Sequence, residues 1–331
     1  MKRLLFILLC AAAPLLTPET RANDQVALDE IMKAGAGIDR LNALIIAQDG
    51  KILAERAFRG PKLTTPVNVK SVSKSLLAAI AGVAVDKGLL LGTDMKIAPL
   101  LADWLPKDAE PKKHLITLDH LLSMRSGLER TSGRNYGRWV KSKNWSRFVL
   151  SRPMADEPGG IMHYSTGNFH LVSALLSRVT KRDTHQLAQD WLAKPLDIRL
   201  PPWQKSPEGI YLGGNNMLIS PRDMLTFGEM YRNGGMHKGE RVLSEAWIKQ
   251  SWTGRGQSRF SGDYYGLGWF ITEIWGERAY YARGFGGQFI YILPAIKLTI
   301  VMTSNPAIHT RVGGYRYKLL ALTELIVSSL K

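Results

Sequence analysis

Strand-forming runs lie near the two ends of this chain, and that placement limits its fold more than any other feature. Ala43 to Gln48 is a short apolar, β-branched run, Asp49-Gly50 is a two-residue hairpin turn, and Lys51 to Phe58 alternates as a returning strand. At the far end, Gly266 to Glu273, Ala279 to Phe285 and Gln288 to Thr303 are three further runs rich in Tyr, Ile, Val and Phe, punctuated by Gly and Pro. Tyr315 to Leu330 reads as a closing helix. An isolated hairpin is marginal in water, so the N-terminal pair needs partners. The C-terminal runs are the available ones.

Between the ends the periodicity is helical. Ser71 to Leu90 is apolar with Ala and Leu, Leu118 to Met124 is a short helix stopped near Gly127, and Asn168 to Val179 carries apolar residues at helical spacing. Ser220-Pro221-Arg222-Asp223 supplies an N-cap serine, proline at the first helical position and an acid at the third, opening a helix that runs to Asn233. The expected class is therefore α+β: one antiparallel sheet from about 41–60 and 264–331, flanked by helices, with an inserted all-α subdomain over about 61–263. At ~150 residues per domain, 331 residues suggest two domains, but a sheet drawn from both termini cannot be cut into sequential halves.

Residues 1–22 read as a cleavable secretory signal: Lys2 and Arg3 precede an apolar run from Leu4 to Leu16, and Thr20-Arg21-Ala22 places small residues at a cleavage site. The run is shorter than the ~20 residues a bilayer span requires, so no integral span is expected after its removal. The mature chain, residues 23–331, is then expected to be periplasmic or secreted. Cleavage also removes Cys10, the only cysteine, which excludes a disulfide framework and cysteine-ligated metal sites. Formal net charge is +16, a bias toward anionic partners such as an acidic substrate or a cell-envelope surface. No nucleic-acid reading motif accompanies that charge. There is no GxSxG elbow, HExxH pair, P-loop or GxGxxG, and the histidines do not cluster, so neither metal nor cofactor is expected.

Three local motifs carry chemistry. Ser71-Val72-Ser73-Lys74 is an SxxK at the start of an apolar helix, where residues three apart share a face and the amine can reach the hydroxyl. The apolar stretch after it would bury Lys74, and desolvation favours the neutral amine a general base requires. Taken alone, an SxxK is more often an N-cap serine followed by a solvated lysine. His163-Tyr164-Ser165-Thr166-Gly167-Asn168 precedes a helix; a tyrosine near a lysine and serine can serve as phenolate or proton relay, because positive charge lowers its pKa. Arg283-Gly284-Phe285-Gly286-Gly287-Gln288 places glycines where a substrate carbonyl could approach backbone N–H groups, though a hairpin turn would look the same. Tyr136, Trp139 and Trp145 could line a pocket mouth or pack an inserted loop, and the basic run of Arg130, Arg134, Arg138, Lys141, Lys143 and Arg147 could form a cationic entrance or a solvated face.

In this order the three motifs resemble the serine β-lactamase and penicillin-binding-protein superfamily, in its class C-related branch with family VIII esterases and 6-aminohexanoate-oligomer hydrolases. The resemblance extends to Leu118-Asp119-His120-Leu121-Leu122-Ser123-Met124-Arg125-Ser126-Gly127-Leu128, Gly213-Gly214-Asn215-Asn216-Met217, and Tyr265-Gly266-Leu267-Gly268-Trp269, running from about Leu41 to the end. It implies a β-lactamase/DD-peptidase-like fold, with Ser71 as acylated nucleophile, Lys74 as its base and Tyr164 as proton relay. The oxyanion hole would join the Ser71 N–H to one from Gly286, Gly287 or Gln288, with Asn168 and Arg283 as further substrate-binding candidates.

The departures shape the functional expectation. Thr166 stands where class C enzymes carry the Asn of Tyr-x-Asn, and Asn168 follows two residues later. The third motif usually opens with Lys or His; here Gly284-Phe285-Gly286 removes the cation that faces a β-lactam carboxylate unless Arg283 replaces it. The resemblance thus implies a hydrolase of a small-molecule or short-peptide amide or ester, like a 6-aminohexanoate-oligomer hydrolase or an esterase. The alternatives are a β-lactamase or D-Ala-D-Ala carboxypeptidase/D-aminopeptidase, and a non-catalytic cell-wall or β-lactam binding module.

Overall fold

The computed structural model describes residues 18–307 and 314–331. The expected secretory leader, residues 1–22, falls mostly outside the described residues, and Cys10 does so entirely. A helix over Pro18–Ala36 comes first. The strands are β1 (Leu41–Gln48), β2 (Lys51–Ala57), β3 (Val67–Asn68), β4 (Leu218–Ile219), β5 (Met236–His237), β6 (Glu240–Arg241), β7 (Gly256–Gln257), β8 (Tyr264–Tyr265), β9 (Phe270–Ile274), β10 (Glu277–Gly284), β11 (Gln288–Leu293) and β12 (Leu298–Ser304).

The main sheet has the order β2-β1-β12-β11-β10-β9-β8-β7 with antiparallel pairing, so the two ends of the chain do share one sheet. The seam is β1 against β12, where Ile45 lies opposite Val301 and Leu44 opposite Met302. Asp49 and Gly50 take φ of 49° and 79°, the left-handed conformation that a two-residue turn between twisted strands demands. The run from Gln288 to Thr303, read from sequence as one strand, is two. Pro294 cannot extend a central ladder, and a 3-10 turn over Pro294–Ile296 with Lys297 at φ 54° reverses the chain between β11 and β12. The sheet also begins earlier than 264, because β7 adds Gly256 and Gln257 at its edge.

Helices cover both faces. Pro221–Arg232 packs on β1, β11 and β12, while Pro18–Ala36 packs with Tyr315–Leu330 and against β1 and β2. Strands covered on both sides cannot alternate, which is why Leu44, Ile45 and Ile46 are consecutive and all fully buried. The intervening segment is mainly helical, led by Ser73–Asp86 and Thr166–Thr180, but it also contains the short pairs β3–β4 and β5–β6. No helix among the described residues is long and apolar enough to cross a membrane.

The β1 seam sets a stability expectation. Ile45→Ala leaves a cavity between two covered faces and is expected to cost about 2–5 kcal/mol by urea denaturation; a loss below about 1 kcal/mol would mean that this strand does not carry the core.

Candidate active site

The approach to Ser71 is held by short polar contacts. Lys70 adopts φ 51°, unusual for a residue with a Cβ. Its N–H donates to Asn68 Oδ1 at 3.0 Å, and the Ser73 hydroxyl donates to its carbonyl at 2.5 Å while accepting the Met217 N–H at 3.0 Å. Ser73 therefore takes the local structural duty. Ser71 sits in a 3-10 turn over Lys70–Val72, just before helix Ser73–Asp86, with its hydroxyl left for other partners.

One such partner is Lys74, which is 1% exposed. Its Nζ lies 2.9 Å from Ser71 Oγ, 3.3 Å from Thr166 Oγ1 and 2.6 Å from the Gly214 carbonyl oxygen. No carboxylate is among these contacts. Burial lowers its pKa from 10.5 to about 7, so a large fraction of the amine is unprotonated at neutral pH. A neutral amine at hydrogen-bond distance can accept the serine proton.

Tyr164 closes the other side of Ser71. Its ring runs nearly parallel to Phe270 at 6.3 Å, Lys74 Nζ is 5.0 Å from its centroid, and its hydroxyl engages Ser71. The expected lowering of its pKa is corrected. Burial raises it, and this outweighs the Ser71 hydrogen bond and the Arg283 charge. The burial that removes the Lys74 charge also removes the cation that would have favoured a phenolate. Tyr164 is a neutral phenol at pH 7.

Thr166 opens helix Thr166–Thr180, bonded through its N–H to Ser132 Oγ at 2.9 Å. From this helix it supplies the hydroxyl bonded to Lys74, while the Phe169 ring lies 5.9 Å from the same amine. The candidate Asn168 is turned away and buried, accepting the Ser126 hydroxyl at 3.1 Å. Thr166 was legible as a site residue only through its third position in the Tyr-x-Asn pattern.

The glycine-rich segment also sorts differently from expectation. Arg283, Gly284 and Phe285 line a cavity of about 200 Å³ with Ser71, Tyr164, Ser258, Phe260 and Phe270, whereas Gly286, Gly287 and Gln288 do not line it. A Cβ on Gly284 would fall 2.2 Å from the Val69 carbonyl, so Gly284 is where β10 meets the segment leading to Ser71. Gly286 faces Pro306, and Gly287 faces Ser304, Leu319 and Tyr315. Gln288 ties β11 to β12, donating to the Ser304 carbonyl at 2.7 Å and accepting its N–H at 3.2 Å. The hairpin reverses at Phe285 and carries the later glycines away from Ser71.

A second recess of about 350 Å³ adjoins the first through Tyr164, Ser258 and Phe260, and adds Arg130, Met162, His163 and Arg259. Arg130 sits over the exposed Phe260 ring at 5.6 Å. Of the basic run that starts at Arg130, this arginine alone lines either recess. Trp139 and Trp145 are core residues, each about 5.5 Å from the His170 ring and bonded through their indole N–H groups to nearby carbonyls. Tyr136 accepts Asn215 Nδ2 at 3.0 Å. No cluster of potential metal ligands occurs among the described residues.

An antiparallel sheet zipped from both chain ends, with a helical lobe delivering serine, lysine and tyrosine to one end of it, is the architecture of the β-lactamase and penicillin-binding-protein superfamily. The chain belongs to the beta-lactamase family, whose model matches residues 39–323. Solved structures share the fold at low identity. A protein described as a 6-aminohexanoate-dimer hydrolase from Bacillus anthracis superposes with TM-score 0.73 at 18% identity, over 92% of this chain and 82% of that one. A penicillin-binding-protein homolog from Caulobacter crescentus gives 0.73 at 16%, over 96% and 99%. EstCE1, described as a hydrolase with promiscuous acyltransferase activity, gives 0.70 at 17%, over 92% and 98%. No curated protein matches the sequence.

The titration of Lys74 is directly measurable. In protein with isotope-labelled lysine side chains, NMR is expected to show one resonance titrating near pH 7 that disappears in Lys74→Met; a spectrum in which every lysine titrates near its ordinary value would contradict the burial argument.

Proposed function

We propose that this chain is an exported serine hydrolase that cleaves an amide or ester bond through an acyl-enzyme on Ser71. The observation that carries the reading is a buried amine 2.9 Å from a serine hydroxyl, with no carboxylate to keep it charged. As Ser71 Oγ attacks the substrate carbonyl carbon, Lys74 takes its proton. The developing oxyanion accepts from the Ser71 N–H and from a backbone N–H at the Gly284–Phe285 end of β10, which lies against the nucleophile segment. Tyr164 gives its proton to the departing nitrogen or oxygen, and the proton held by Lys74 restores the phenol. Water then attacks the ester carbonyl, with the same groups run in reverse. Export rests on the leader-like residues 1–22.

The substrate we assign is an amide or ester bearing a carboxylate. Arg283 lines the recess at Ser71, Arg130 and Arg259 line the adjoining one, and none of the three forms an ion pair with a carboxylate of the described residues. Phe260, Phe270 and Phe285 add apolar walls suited to a linear chain. The 6-aminohexanoate-dimer hydrolase among the similar structures fits that class. The third motif lacks a lysine, which disfavours efficient β-lactam turnover. A purely binding role would leave the pairing of Ser71, Lys74 and Tyr164 without purpose.

A fluorophosphonate probe is expected to add one label to the wild-type chain and none to Ser71→Ala; folded wild-type protein without an adduct would end the reading. Turnover of a neutral p-nitrophenyl ester, nitrocefin, a D-Ala-D-Ala peptide and a 6-aminohexanoate dimer should place nitrocefin last. In Arg283→Ala, KM should rise about tenfold, equal to about 1.4 kcal/mol, for a carboxylate-bearing substrate and stay nearly constant for the neutral ester. Equal effects on both would remove the carboxylate assignment.

A further inference from the structure

The Gly214 carbonyl is the nearest of the Lys74 contacts, yet it belongs to a loop that has no covalent proximity to either catalytic helix. That loop is a hairpin from Trp203 to Gly214, closed by Leu212 N–H on the Gln204 carbonyl at 2.8 Å and by Ser206 N–H on the Ile210 carbonyl at 2.8 Å. Glu208 stands at its tip and Gly213 at its base. Both meet the same side chain. His170, fully buried on helix Thr166–Thr180 one turn beyond Thr166, has Nε2 3.4 Å from Glu208 Oε1, and its Nδ1 accepts the Gly213 N–H at 3.4 Å.

The two contacts define one proton arrangement. Nδ1 faces a donor and must carry the lone pair; Nε2 faces a carboxylate and must carry the hydrogen. Glu208 is itself fixed, accepting the Trp145 N–H at 3.0 Å, the Ser146 N–H at 2.9 Å and the Ser146 hydroxyl at 3.0 Å. Trp139 and Trp145 pack edge-on against the imidazole, with ring centroids 5.7 and 5.5 Å away. The base of the hairpin has no slack on its other side: a Cβ on Gly213 would lie 2.0 Å from the Phe169 carbonyl, and one on Gly214 2.8 Å from Lys74 Cγ.

We propose that His170 is a positioning residue for Lys74: its neutral imidazole clamps tip and base of the 203–214 hairpin and thereby holds the Gly214 carbonyl against the amine. The carbonyl is an acceptor for the ammonium that forms when Lys74 takes the serine proton, so its placement acts on acylation rather than on substrate binding. The inference rests on the serine-hydrolase reading, and it adds a residue about which the SxxK, tyrosine and glycine motifs say nothing.

The test uses the mature chain and p-nitrophenyl butyrate. His170→Phe keeps an aromatic ring against Trp139 and Trp145 but removes both hydrogen bonds; kcat is expected to fall about 10- to 100-fold with KM within about twofold. His170→Asn places Oδ1 where Nδ1 stood and should recover kcat to within about fivefold of wild type. Full kcat in folded His170→Phe overturns the proposal, as does a change confined to KM. Equal losses in both variants also overturn it, because the Gly213 contact would not be the route. If neither variant folds, the 15N spectrum of histidine-labelled wild type decides. A neutral His170 protonated on Nε2 and accepting at Nδ1 supports the clamp, and a proton on Nδ1 overturns it. Wild type that turns over no ester would sink the hydrolase reading alone, since the spectrum reports the clamp independently.

Discussion

The burial of one amine governs this molecule. Lys74 is removed from water without a carboxylate partner, and the shift of its pKa from 10.5 to about 7 corresponds to a penalty on the charged form of the order of 5 kcal/mol. The cost is tolerable because the neutral amine still finds three polar atoms: a serine hydroxyl, a threonine hydroxyl and a peptide carbonyl. Each comes from a different part of the chain. Ser71 precedes the helix that carries Lys74, Thr166 opens a second helix, and Gly214 closes a hairpin. The lobe is organised so that these three converge on the buried Lys74 amine.

The sheet supplies the remaining wall. β1 and β12 join the ends of the chain, and the strands beside them bring Gly284 to within van der Waals reach of the residue two places before Ser71. Gly284 and Phe285 at that junction and the phenol of Tyr164 thus line the same recess as Ser71. Desolvation sets both proton inventories in one direction: it empties the lysine and fills the tyrosine. A largely neutral amine and a neutral phenol therefore flank the Ser71 hydroxyl.

Much of the fold was legible because strands and helices differ in period and lie in separate stretches. Asp49-Gly50 announced its turn, and Ser220 its helix, whose N-cap bond to the Asp223 N–H measures 3.1 Å. Pro294 was the overlooked signal for the β11–β12 reversal. At the site, Ser71, Lys74 and Tyr164 are brought together because the SxxK spacing is local and the tyrosine precedes a helix that packs beside it. The glycines were misjudged because their number suggests open backbone, whereas which face each one presents is fixed by the hairpin reversal. Asn168 was misjudged by two positions on a helix, enough to turn it from Lys74 to Ser126. His170 and Glu208 left no local signal, since their pairing spans 38 residues and exists only after folding.

The proposed acylation requires Lys74 to accept the Ser71 proton. The most direct measurement is the pre-steady-state rate of Ser71 acylation by an activated ester between pH 5 and 9. The rate should rise about tenfold per pH unit and level off above about 7, the pKa at which the buried amine loses its proton. An acylation rate independent of pH across that interval would contradict the assignment of Lys74 as the base.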